Sequence, residues 1–220
     1  MITLFETYDQ MSEYAASIVA ETITLNEFPK LGLPTGSTPI GMYKNLVQGE
    51  LDWSKVKTFN LDEYEGISHS HPESYHMFMN KNLFLHININ EKNINFPDSN
   101  YDRTIKSLGG LDLVVLGIGH NGHVAFNEPG SSVTSPTRRV KLSPTTIQAN
   151  SRFFDNIDEV PKWAFTMGMK TIREAKKIVL MAYGQDKWDI LDSCFNGDVT
   201  KERPASILQV HPNIEVLYAG

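Results

Sequence analysis

Strands that alternate with helices from end to end predict a three-layer α/β domain built on a mainly parallel sheet. Three observations carry this. Leu111 to Leu116 is a short run rich in Leu and Val, the pattern of a strand covered on both faces. Lys30 to Leu33 and Val56 to Leu61 are further short runs that pass directly into turn or acidic residues. Between such runs lie segments whose apolar residues recur at helical spacing. At 220 residues the chain reads as one domain, residues 1–220, with room for a substantial core.

In order, Ile2 to Phe5 predicts the first strand. Met11, Tyr14, Ala15, Ile18, Val19 and Ile23 then form one apolar stripe on a helix. Lys30 to Leu33 predicts the second strand, followed at once by Pro34-Thr35-Gly36-Ser37-Thr38-Pro39. Thr38 suits an N-cap and Pro39 a first helical residue, in a helix reaching about Val47. Free N–H groups, two hydroxyls and the positive end of a helix dipole would converge there, which suits an anion. The same residues also make an ordinary capped helix. Gly36 to Gly41 has P-loop spacing, but Met42 stands where the lysine belongs, so a phosphate on a small molecule fits better than a nucleoside triphosphate.

Val56 to Leu61 predicts the third strand, with Asp62-Glu63-Tyr64 at its end. Acids at a strand end are candidate general bases and equally common turn residues. Tyr75, Phe78, Met79 and Leu83 predict a core helix. His69, His71 and His76 lack the H-E-x-x-H pattern and any supporting cysteines, so they read as structural or solvent-facing rather than as metal ligands. Later, Ala164 to Met167, Ile178 to Tyr183 and Glu215 to Tyr218 predict strands, with a short helix around Thr171 to Ala175. Lys187 lies at a strand-to-helix junction and Arg152 beside aromatics; both could also be plain surface charges.

The stretch Leu111 to Gly130 organises the chain. Its strand runs into Gly117, Gly119 and Gly122, and then Asn121, His123, Asn127 and Glu128 crowd a few positions. A buried strand feeding glycines and polar groups is how an open α/β sheet builds a site at its carboxyl edge. Gly117 to Gly122 matches G-x-G-x-x-G, yet Pro129-Gly130 would interrupt the required helix. No acid stands roughly 20 residues on to hold a ribose. Dinucleotide binding is therefore not expected.

Composition excludes other classes. A formal net charge of −6 argues against a nucleic-acid binder with a broad basic face. The lone Cys194 cannot form an internal disulfide, which fits a reducing, cytoplasmic setting. The amino terminus lacks the basic start and apolar core of a signal peptide, and no run reaches about 18 apolar residues, so no membrane span is expected.

Several segments together resemble the glucosamine-6-phosphate deaminase (isomerase) family: Leu33 to Pro39, Thr58 to Tyr64, His71 to Tyr75, Gly117 to Pro129, Asn150 to Phe154 and Gln209 to Pro212. They occur in family order and cover nearly the whole chain. The resemblance implies a modified Rossmann-like fold. It implies conversion of glucosamine 6-phosphate and water to fructose 6-phosphate and ammonia, with no cofactor and no catalytic metal. By that resemblance Asp62 moves a proton between C2 and C1, His123 opens the pyranose ring, and Glu128 pairs with it. Asn121 takes the third ring-opening position, where many relatives carry aspartate. The substrate phosphate would lie on Gly36, Ser37 and Thr38, with Arg152 and Lys187 closing over it.

The chemistry suits these types. Imidazole can take a proton from an anomeric hydroxyl and return one to the ring oxygen near neutral pH. An adjacent carboxylate favours imidazolium and orients the ring, and a desolvated aspartate is a stronger base than one in water. Three rival activities remain: galactosamine-6-phosphate deamination, 6-phosphogluconolactone hydrolysis, and sugar-phosphate binding by a regulator without turnover. Allosteric relatives are hexamers that use basic residues after N-E-P, the amino terminus and a carboxyl-terminal extension. Here Arg138 is in place, but Val140 stands at the second basic position, Arg139 and Lys141 should face the other way, and no extension follows the last strand. A monomer without that switch is expected, its partner a small amino-sugar phosphate.

Overall fold

A computed structural model of the protein describes residues 2–151, 154 and 156–220, with the backbone alone of Thr145, Ala149 and Asn150. Its main sheet has seven strands in the order β1 (Ile2–Phe5), β10 (Ile214–Ala219), β9 (Ile178–Tyr183), β6 (Leu113–Leu116), β2 (Lys30–Leu33), β3 (Lys57–Asn60) and β5 (Ile94–Asn95). Every neighbouring pair is parallel. The helices are α1 (Tyr8–Leu25), α2 (Ile40–Gln48), α3 (Tyr75–Asn82), α4 (Tyr101–Ser107), α5 (Pro144–Asn150), α6 (Met169–Arg173) and α7 (Trp188–Phe195).

Strand alternation divides the core into two layers. Leu113 and Val115 of β6 pack with Met11, Val19, Tyr43 and Met79 from α1, α2 and α3. Val114 and Leu116 pack on the other face with Tyr101, Ile105, Ile172 and Leu191 from α4, α6 and α7. That two-sided burial is why the β6 sequence is apolar at every position. Gly32 is required for the fit of β2 against β6, because a Cβ there would stand 2.8 Å from a Val114 methyl. The chain is thus a three-layer, mainly parallel α/β fold.

A second sheet of three antiparallel strands, β4 (Asp62–Tyr64), β8 (Trp163–Thr166) and β7 (Arg138–Lys141), stands apart from this plan. Its inner face packs Tyr64, Phe126, Leu142 and Ala164. The run Val56 to Leu61, expected as one strand, is shorter, and Asp62 begins a strand of its own. The switch occurs at one residue: the Leu61 N–H donates to the Leu33 carbonyl of β2 at 3.2 Å, and the Leu61 carbonyl accepts from Met167 N–H at 2.6 Å. Tyr14 departs from its expected place in the α1 stripe. It is 40% exposed, lying against Phe5 and donating its hydroxyl to Glu215 at 2.9 Å.

The chain runs from β2 outward to β3 and β5, then returns to β6 and moves the other way through β9 and β10. The order therefore reverses between β2 and β6. Loops leaving the carboxyl ends of strands at such a point diverge and leave a crevice.

Candidate active site

Four neighbouring strands, β9, β6, β2 and β3, deliver nearly all the sequence-predicted site residues to this edge. Gly36 to Thr38 follow β2, Asp62 follows β3, Asn121 to Glu128 follow β6, and Lys187 follows β9. Arg152 lies outside the described residues.

No helix follows β6. Gly119 N–H donates to the His123 carbonyl and Gly122 N–H to the Gly119 carbonyl, closing a tight turn in which Gly122 has φ +81°. The imidazole of His123 lies directly against the α-carbon of Gly119, where any side chain would occupy the space of the ring. The G-x-G-x-x-G match is thus a seat for an imidazole. Ala125 holds a left-handed φ of 50°, and Phe126 N–H then donates to Thr166 Oγ1 at 3.1 Å, tying the loop to β8.

His123 Nδ1 lies 2.7 Å from Asn121 Oδ1, and Asn121 Nδ2 donates to Glu128 Oε2 at 2.8 Å. The direct His123–Glu128 separation is longer, 3.6 Å. A carboxylate only accepts, so the Asn121 amide nitrogen must face Glu128 and its oxygen must face His123. His123 backbone N–H also donates to that oxygen, at 3.2 Å. The ring proton therefore sits on Nδ1, and Nε2 carries the lone pair. Burial lowers the His123 pKa; Glu128 opposes this, while Lys187 and His120 add to it. The expected preference for imidazolium is outweighed by desolvation, and the ring stands neutral as a base. Thr146 donates to Glu128 Oε1 at 2.8 Å, a contact from α5 that no local pattern in the sequence signals.

Asp62 is 7% exposed, and its pKa is pushed up to about 8, first by burial and then by the charge of Glu63. Cross-strand pairing places it opposite Thr166, the residue that receives Phe126 N–H, so the Asp62 strand and the His123 loop share an anchor.

At the β2 loop, the N–H groups of Gly36, Ser37 and Thr38 donate to no protein acceptor among the described residues. Gly36 has φ +94°, a conformation glycine adopts without strain. Thr38 is not the cap of α2: Pro39 is, without a side-chain bond. The hydroxyl of Tyr8, from the start of α1, does that work. It accepts from Gly41 N–H at 2.8 Å and donates to the Thr38 carbonyl at 2.9 Å. With an oxygen supplied from another helix, the local hydroxyls are left out of the cap. Tyr8 also packs on Tyr183, ring centroids 4.7 Å apart, at the end of β9 near Lys187. Lys187 is half-buried, its pKa lowered by that burial.

Glu63 and the histidines form a separate group. His76 Nδ1 is 2.8 Å from Glu63 Oε2, and the His76 ring stacks between His69 and Phe96. Along β7, Arg138 and Val140 are partly covered and Arg139 and Lys141 exposed, the alternation expected. Arg138 donates to Asn127 Oδ1 at 2.8 Å, and Arg139 pairs with Glu65 over the Trp163 ring.

The sequence model of a family described as glucosamine-6-phosphate isomerases/6-phosphogluconolactonase matches residues 4–217. The chain belongs to this family. A relative from Clostridium acetobutylicum named glucosamine-6-phosphate deaminase is 47% identical, covering 96% of this chain and 93% of its own. One of the same name from Lachnoclostridium phytofermentans is 46% identical over 96% and 95%. Among solved structures, that of a monomeric glucosamine-6-phosphate deaminase superposes with a TM-score of 0.95 at 39% identity, covering 99% of this chain and 96% of that one. A 6-phosphogluconolactonase from Thermotoga maritima shares the fold at a TM-score of 0.79 and 19% identity. The family spans both activities, so the choice between them falls to the site.

Proposed function

We propose that this family member is a glucosamine-6-phosphate deaminase, converting glucosamine 6-phosphate and water to fructose 6-phosphate and ammonia. The observation that carries this is the bonded set His123–Asn121–Glu128 on the same sheet edge as a buried, proton-hungry Asp62. Ring opening needs a neutral imidazole, and isomerisation needs a base at C2. Lactone hydrolysis needs no base at C2. Identities of 46–47% to proteins named as deaminases, against 19% to the lactonase, support the same choice.

In this mechanism the phosphate is held by the N–H groups of Gly36, Ser37 and Thr38 and by Lys187 and Arg152. Those contacts bring C2 to Asp62 and turn binding into orientation. His123 Nε2 takes the proton of the anomeric hydroxyl and returns it to the ring oxygen, opening the ring. Asp62 then removes the proton from C2 and delivers it to C1, while a proton of the substrate's ammonium group passes to O1, leaving a C1 hydroxyl and a C2 iminium. Water adds to the C2 iminium, one of its protons passes to nitrogen, and the C–N bond breaks to release ammonia and leave the C2 ketone. The reaction calls on no group beyond these side chains and water. A cytoplasmic monomer is the setting this reading carries; no helix among the described residues is long and apolar enough to cross a membrane.

The test is release of ammonia and fructose 6-phosphate from glucosamine 6-phosphate, beside galactosamine 6-phosphate and 6-phosphogluconolactone. Turnover of the glucosamine ester with ammonia is expected, and specificity constants for the two amino sugars decide the C4 preference. Lactone hydrolysis without ammonia release from either amino sugar would overturn the proposal.

A further inference from the structure

Asp62 belongs to the crevice, but its neighbour Glu63 points across the strand, away from it. Glu63 is also buried, and its two carboxylate oxygens accept from four donors. Oε1 takes Tyr64 N–H at 2.8 Å and Tyr75 N–H at 3.1 Å; Oε2 takes His76 N–H at 3.0 Å and meets His76 Nδ1 at 2.8 Å. Tyr75 and His76 are the first two residues of α3, whose Ser74 cap binds Met77 N–H. Glu63 thus occupies donors that a helix start leaves open, and it bonds strand β4 to that helix.

The histidine is itself held. Its ring lies between His69, 3.6 Å away by centroids, and Phe96, 3.4 Å away, at interplanar angles of 13° and 17°. This stack forms part of the lining of a cavity of about 490 Å³ behind β4, which also includes Glu63, Asp98, Tyr101 and Thr104. Among the described residues no Lys or Arg lines it, and the partners Glu63 has there are its own donors.

We propose that Glu63, gripped by His76 and the amino terminus of α3, is the positioning residue for Asp62. The proposal rests on Asp62 being the C2 base. Strand β4 is three residues long, so its backbone needs an anchor beyond the ladder to β8. Glu63 supplies one on the face opposite the substrate and leaves a fixed negative charge one residue from the base. The other titratable groups that act electrostatically with Asp62 are Tyr64 on the same strand, Tyr75 on α3 and Tyr101 on α4, all neutral at working pH because their pKa values are raised. After burial, Glu63 is the charged group among the described residues that raises the Asp62 pKa.

The test compares Glu63→Gln, His76→Phe and Asp62→Asn with the unaltered protein, reading kcat and KM for glucosamine 6-phosphate from pH 5.5 to about 9.5. Glu63→Gln keeps the shape and an acceptor but removes the charge. It should move the limb on which kcat/KM rises with pH to lower pH, and lower kcat about 10- to 100-fold with KM little changed. His76→Phe keeps the stack and loses the donor; kcat should fall with KM held. A folded Glu63→Gln protein whose limb stays at the original pH overturns the proposal, whatever its rate. If Asp62→Asn is fully active, the assignment of the base itself fails, which is a different result.

Discussion

At the scale of the residue, burial decides what each acid and base can do. Asp62 has a carboxyl held near pKa 8 by desolvation and Glu63. A carboxyl whose pKa rises on folding destabilises the native state, because the unfolded chain gives up that proton first. The penalty is absent below about pH 4, grows toward pH 8 and then levels, reaching on the order of 6 kcal/mol. Asp62→Asn should therefore melt higher than the unaltered protein at pH 8, with the gap closing toward pH 4, while turnover falls about 10²–10⁴-fold or more. Melting curves across pH and ammonia release check the two halves; equal turnover would remove Asp62 from the chemistry. Asn121 invites the opposite change. Asn121→Asp would set a carboxylate against His123 Nδ1, favour imidazolium and raise the pKa that burial lowers. The His123 ionisation, which lies below that of Asp62 and steepens the foot of the acid limb of kcat/KM, should move to higher pH, read from a pH–rate profile carried well below about pH 6.

At the scale of the element, the β2 loop and α2 depend on a residue from α1. The Tyr8 hydroxyl caps Gly41 N–H and binds the Thr38 carbonyl, beside N–H groups of residues 36–38 that have no protein acceptor among the described residues. Tyr8→Phe removes both bonds and keeps the ring on Tyr183. It should cost about 1 kcal/mol of stability, as losing a helix cap does. KM for the phosphorylated sugar should rise several-fold, with a smaller change in kcat. Denaturant titration and initial rates test this; an unchanged KM would show that the loop holds its shape without the cap.

At the scale of the whole molecule, two expectations concern what the chemistry does without. The proposed acid–base groups need no Lewis acid, and among the described residues no three His, Cys, Asp or Glu side chains gather to hold a metal ion. Activity should survive exhaustive chelation and dialysis; loss that zinc or magnesium restores would contradict this. The second concerns regulation. Val140 is turned inward beside Arg138, whose guanidinium is engaged by Asn127 and Ser131, and Arg139 is paired with Glu65 on the outer face. An effector anion would find one basic side chain on the inner face of β7 where allosteric relatives offer more. Substrate saturation should be hyperbolic with or without N-acetylglucosamine 6-phosphate, and light scattering should give a mass near 24.8 kDa. A sigmoidal curve from a hexamer would refute both.

The main sheet was legible because its signals are local. Leu113 to Leu116 are apolar at every position since both faces are covered, and the glycines beyond them mark a turn that only glycine makes easily. Local pattern made Asp62, His123 and Glu128 candidates, at or beyond the ends of short strands, and the family resemblance implied their roles. What the sequence alone could not decide are contacts between residues far apart in the chain. The change of sheet at Leu61 depends on Leu33 and Met167, the cap of α2 on Tyr8, and the orientation of Glu128 on Thr146. Protonation was undecided for the same reason. Residue types suggest a charged histidine beside a glutamate, but the balance between desolvation and that carboxylate is set by packing, and in this fold desolvation prevails.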